Sequence, residues 1–154
     1  MPKRKELIIS SLNPKFLVKL LNIGFVLSLD CMPIAKVKVG FEPDILKGSN
    51  RSEFTLKLSV SAPDATKEYW CECDIVANKP LTLAHDKDLH IGRTRVGILN
   101  SERTIEKQVK LYTMPGMSVE EYMVSVTTYL YDEDGAITER YDTSGIIRCE
   151  VSKT

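Results

Sequence analysis

From Val37 onward, apolar residues recur at every second position, and no later segment holds a helical repeat for long. A strand turns successive side chains to opposite sides, so each such run has one apolar face, and those faces must be buried against each other. "VKVGF" puts Val37, Val39 and Phe41 on one side. "EFTLKLSVSA" sets Phe54, Leu56, Leu58, Val60 and Ala62 against Thr55, Lys57, Ser59 and Ser61. "EYWCECDIVA" turns Tyr69, Cys71, Cys73 and Ile75 one way, and Trp70, Glu72 and Asp74 the other. "TIEKQVKLYT" opposes Ile105, Val109 and Leu111 to Glu106, Gln108 and Lys110. "EYMVSVTTYLY" aligns Tyr122, Val124, Val126 and Leu130, and "GIIRCEV" closes the chain. "LTL" at 81–83 and "RVGIL" at 95–99 are shorter candidates.

Turn chemistry separates these runs: "KGSN", "APDA", "ANKP", "NSER" and "MPGM". Short strands with one apolar face each predict an all-β fold, an antiparallel β-sandwich of about seven strands in two sheets packed face to face. An up-and-down barrel of about eight strands is the alternative. No internal repeat is visible, which excludes solenoids and propellers.

"DEDG" at 132–135 invites a calcium-loop reading, which its spacing refutes. With Gly135 at the sixth loop position, Leu130 falls at the first and Tyr141 at the twelfth, so two obligatory oxygen ligands are missing. The segment before it is β-branched and aromatic, unsuited to the required helix. Asp134-Gly135 instead predicts a hairpin turn, both residues taking positive φ.

The segment "RTRVGILNSERTIEKQVKLYTMPGMSVEEYMVSVTTYLYDEDGAITERYDTSGIIRCEV" resembles the second half of immunoglobulin-like adhesion-type (CARDB-like) domains of bacteria and archaea. The likeness lies in "MPGM", in Tyr122 near the start of the next strand, and in the "DEDG" hairpin, and it extends over about residues 36–151. It implies a binding or spacer module and names no ligand. Two features depart from the immunoglobulin pattern. The inter-sheet cysteine pair is missing, and Trp70 falls on the wrong face of its strand for the central core tryptophan.

At 154 residues the chain suits one folded domain, residues 36–154, behind an N-terminal extension, residues 1–35. Residues 1–40 hold seven Lys or Arg against Glu6 and Asp30, a net of +5, which leaves the remainder at −5. A mildly acidic body argues against nucleic acid as a partner. In "NPKFLVKLLNIGFVLSLDC", Asn13 caps and Pro14 opens a helix with Lys15, Lys19 and Asn22 on one polar stripe. Three readings stand: a docking helix, a secretory signal with Leu20–Leu29 as its apolar region, or upstream sequence before a true start at Met32. The uncharged run is about half of what a bilayer core requires, so membrane contact is confined to residues 14–29. Cys31, Cys71, Cys73 and Cys149 read as reduced, buried thiols of a cytoplasmic protein. Asn50-Arg51-Ser52 is a glycosylation sequon, meaningful only after export.

Two clusters are candidate sites. His85, Asp86, Asp88 and His90 in "AHDKDLH" offer two imidazoles and two carboxylates to a metal ion. Trp70, Tyr129 and Tyr131 point away from the core and form either a candidate interaction patch or a surface that the leading helix covers. There is no nucleophile elbow, P-loop, dinucleotide fingerprint or zinc-protease motif. The expectation is a non-enzymatic interaction or scaffold module without a cofactor, contacting a protein partner, or a second copy of itself, by a sheet face or edge. The alternatives are a small metal-binding protein or metal-dependent enzyme built on the His85–His90 loop, and an exported adhesion-like module.

Overall fold

A computed structural model describes residues 33–47, 51–115 and 117–150. The leading segment, Cys31, Met32 and Asn50 lie outside the described residues. Eight strands follow in order: β1 Lys36–Glu42, β2 Ile45–Lys47, β3 Glu53–Ser61, β4 Tyr69–Ala77, β5 Ile91–Leu99, β6 Thr104–Tyr112, β7 Glu121–Tyr131 and β8 Ile137–Glu150. They form a small sheet of three strands, β1-β3-β6, and a large sheet of five, β2-β8-β7-β4-β5. All neighbours are antiparallel except β2, which runs parallel to β8. Pairing β3 with β6, while the intervening β4 and β5 join β7 and β8 opposite, is the Greek-key order of an immunoglobulin-like sandwich.

The alternation read from the sequence is the burial pattern of the fold. Phe54, Leu56, Leu58 and Val60 of β3 meet Cys71, Cys73 and Ile75 of β4 and Val124, Val126 and Leu130 of β7 in one core, each at most 1% exposed. Burying one such aliphatic side chain contributes about 1.5–3 kcal/mol. Cys71, Cys73 and Cys149 are free and buried, and Cys73 Sγ lies 3.2 Å from Thr128 Oγ1, which gives that buried hydroxyl a partner.

The sheets also meet along both sides. A Cβ on Gly145 of β8 would lie 2.7 Å from Phe41 and 2.8 Å from Val39 of β1, so β1 and β8 approach there only because the position is glycine. At the opposite side, Gly97 of β5 faces Ile105 of β6 across a bulge, with φ at +134°. At the entry to β7, the Tyr122 hydroxyl donates to the Ser118 carbonyl at 3.1 Å, the tyrosine corner of immunoglobulin-like sandwiches. Burial pushes this phenol above its ordinary range, and the nearby Glu120 carboxylate adds to the effect.

Five points of the sequence reading change. "LTL" is not a strand: only Thr82 pairs, in a lone bridge with Tyr112. β5 begins at Ile91 rather than Arg95, and β8 at Ile137 rather than Gly145. β2 was not anticipated, because three residues carry too short a pattern. The "DEDG" turn forms, but only Gly135 takes positive φ, at +80°. Asp134 keeps negative φ because the turn is wider than a two-residue loop. Gly135 N–H donates to the Asp132 carbonyl at 3.0 Å, and Asp132 Oδ1 accepts from the Asp134 and Ala136 N–H groups at 2.9 Å each.

Candidate interaction face

The outward side of the large sheet is organised in rows across β5, β4, β7 and β8. Its first row is Ile98, Trp70, Tyr131 and Ile137, each in register with the next. The second is Arg95, Glu72, Tyr129 and Arg140, and the third Arg93, Asp74, Thr127 and Asp142. The fourth is Ile91, Val76, Ser125 and Ser144, followed by Met123 beside Ile146. Apolar rows thus flank a charged band. Trp70, Tyr129 and Tyr131 all stand on this side, where the alternation of β4 and β7 places them, and Trp70 is 37% exposed.

The band is internally neutral: Arg93, Arg95 and Arg140 face Glu72, Asp74 and Asp142. Arg93 grips Asp74 with two parallel bonds, Nε to Oδ1 at 2.6 Å and its terminal nitrogen to Oδ2 at 2.9 Å. The Arg93 guanidinium lies 5.4 Å from the Tyr129 ring centroid, and that of Arg140 lies 6.0 Å from it. Thr127 donates to Asp142 at 2.9 Å. The Arg93 hydrogen bond, then its charge, hold the Asp74 carboxyl below the ordinary carboxylate range, with smaller help from Tyr129 and Arg140. Arg93 is correspondingly held in its charged form, first by its bond to Asp74. At the end of the first row, Trp70 Nε1 donates to Glu72 Oε1 at 3.1 Å. Beside it opens a cleft of about 280 Å³ lined by Trp70, Glu72, Tyr131, Asp132, Glu133 and Gly135.

The histidine loop joins β4 to β5 and closes on itself. The Thr82 hydroxyl sits at its centre, accepting from the Ala84 and Leu89 N–H groups at 3.2 and 3.1 Å, with the Lys87 carbonyl 2.9 Å away. His90 Nδ1 lies 2.8 Å from the Leu81 carbonyl, and its buried Nε2 has no protein partner. His85 meets Tyr112 of the small sheet edge-on, the ring centroids 5.4 Å apart. Among the described residues, no three His, Cys, Asp or Glu side chains are grouped to hold a metal ion, so His85, Asp86, Asp88 and His90 are not brought together as a ligand set.

Sequence reasoning found the aromatic residues of the face and missed its aliphatic ones, Ile45, Ile91, Ile98, Met123, Ile137 and Ile146. A period-two count back from Val96 would have marked Ile91 as outward, whereas Ile98 turns outward only because the bulge at Val96 shifts the period. The others become a surface only through strand register.

No known protein family matches the chain, and no curated protein matches it. Among solved structures it is similar to the CARDB domain of a Pyrococcus furiosus protein in complex with di-metal ions. That match has 11% identity and a TM-score of 0.39, over 79% of this chain and 98% of the other. It is also similar to Spo0M, a sporulation control protein of Bacillus subtilis, at 19% identity and a TM-score of 0.40. That match covers 79% of this chain and 51% of Spo0M.

Proposed function

We propose that this chain is a non-enzymatic protein-interaction module whose docking surface is the outward face of the large sheet. One observation carries the reading. Ten large apolar side chains are exposed among the described residues, and Ile45, Trp70, Val76, Ile91, Ile98, Met123, Ile137 and Ile146 all stand on this face. Apolar area left in water forgoes about 25 cal/mol per Å², and exposed apolar zones bordered by polar side chains mark a partner site. Tyr and Trp are strong interface anchors because they bury a large area at small entropic cost. The charged band has its partners already, so it meets another protein pre-organised and without net charge to repel it.

The test is site-specific photo-cross-linking in cells of the source organism, with benzoylphenylalanine at Val76 or Ile146, and at Lys57 of the small sheet as the comparison. The expected outcome is a discrete protein adduct from the first two sites and none from Lys57. Adducts of equal yield from all three, or none from Val76 and Ile146, overturn the reading. An adduct with a second copy of this chain would identify self-association as the use of the face.

A further inference from the structure

We infer that the partner presents a basic side chain, arginine or lysine, to the cleft at the Trp70 end of this face. The inference rests on the docking reading and names the chemistry that the surface selects. Two aromatic rings, Trp70 and Tyr131, and three carboxylates, Glu72, Asp132 and Glu133, line the cleft, and no lysine or arginine does.

Of the cleft's carboxylates, Glu72 already has cations beside it, Arg93 at 3.6 Å and Arg95 at 3.9 Å. Arg93 and Arg140 otherwise lie over Tyr129, and Arg93 grips Asp74, so among the described residues no basic side chain pairs with Asp132 or Glu133. An aromatic wall attracts a cation through the negative face of its ring. Carboxylates at the rim add charge complementarity and repel an acidic side chain. A neutral apolar side chain would gain the walls and waste the rim.

The cleft is also built to hold its shape. Trp70 is tied to Glu72 through its indole N–H, and Asp132 Oδ1 is anchored by two backbone N–H groups of its own turn. The side beside Gly135 is open, since a Cβ there would meet nothing within 4 Å. A bare metal ion is a poor occupant, because these carboxylates are not grouped as a ligand set.

Trp70 is the sole tryptophan of the chain, so its emission reports on this cleft alone. The full chain is titrated with a short alternating valine–arginine peptide and with its valine–citrulline counterpart, which keeps the shape and drops the charge. The arginine peptide is expected to change Trp70 emission saturably, with the citrulline peptide binding roughly tenfold more weakly. Asp132→Asn with Glu133→Gln keeps the acceptors that fold the turn, and is expected to lose a similar factor at an unchanged melting temperature. Tyr131→Leu is expected to weaken binding in the same direction.

Equal affinity for the two peptides, or emission unmoved at millimolar arginine peptide, overturns the inference. So does an equal loss in Glu106→Gln on the small sheet, which would assign binding to overall charge. Failure of the cleft is distinct from failure of the face. Cross-linking from Val76 and Ile146 that survives in the amide variant, with no response from Trp70, removes the cleft and leaves the face. A responsive Trp70 with no cross-linking does the reverse.

Discussion

The two sheets share one interior and differ on their exteriors. Outside the small sheet stand Lys36, Lys38 and Glu42 of β1, Glu53, Thr55, Lys57, Ser59 and Ser61 of β3, and Thr104, Glu106, Gln108 and Lys110 of β6. Lys110 pairs with Glu53 at 2.6 Å and Lys57 with Glu42, while Tyr112, the aromatic residue on that side, is covered by His85. The large sheet carries two apolar zones around its charged band. Folding demands only the inward half of each strand, so the outward half is free to be polar, as the small sheet demonstrates. Apolar residues on the other exterior therefore answer to something besides the core.

The largest effect expected is one that the sheets share. Leu58→Ala in β3 and Ile75→Ala in β4 should each cost about 2–5 kcal/mol in urea unfolding, in a single transition. Separate melting of the two sheets would break the idea of a common interior. Next comes the difference outside. Val76→Glu with Ile146→Glu should cost about 2 kcal/mol of affinity for the cross-linked partner, whereas Ser59→Glu with Gln108→Glu should leave calorimetric binding unchanged.

A third, smaller effect separates two glycines. Gly145→Ala drives a methyl into Phe41 and Val39 where the sheets meet, and should lower stability by about 1–3 kcal/mol. Gly40→Ala, with nothing within 4 Å of its Cβ, should be neutral or stabilising by some tenths of a kcal/mol.

The smallest effect is a pH dependence. The Asp74 carboxyl is held below its ordinary value of 3.8, so the folded chain binds that proton less tightly than the unfolded one. Its contribution is present above pH 3.8 and is lost as pH falls through the lower, folded value. Asp74→Asn should therefore melt slightly below the parent at neutral pH, with the deficit vanishing in acid. A deficit that persists unchanged in acid would show that Arg93 does not supply it.

Alternation made the inward residues of β3, β4, β6 and β7 legible, because each of those strands faces the centre of the core. The first half of β8 was not legible, since Glu139, Tyr141, Thr143 and Gly145 point inward there. These residues are not a hydrophobic row because they line the side of the sandwich. The Tyr141 hydroxyl accepts from the Ala35 N–H at 3.1 Å, and Gly145 makes room for β1. β5 was cut short because the bulge at Val96 shifts the period, so that Val96 and Leu99 are both buried three positions apart. In the candidate site, Trp70, Tyr129 and Tyr131 were legible from parity on their own strands. That Trp70 and Tyr131 sit side by side against Ile98 and Ile137 was not, because cross-strand neighbours come from distant sequence. The cleft likewise depends on the end of β7 folding back past the start of β4.

The parallel seam of β2 with β8, where Ile45, Leu46 and Lys47 lie opposite Arg148, Cys149 and Glu150, has a mechanical meaning. Tension that draws β2 backward and β8 forward slides the two past one another. Every bond of the seam is then loaded together, whereas an antiparallel pair pulled from one end opens bond by bond.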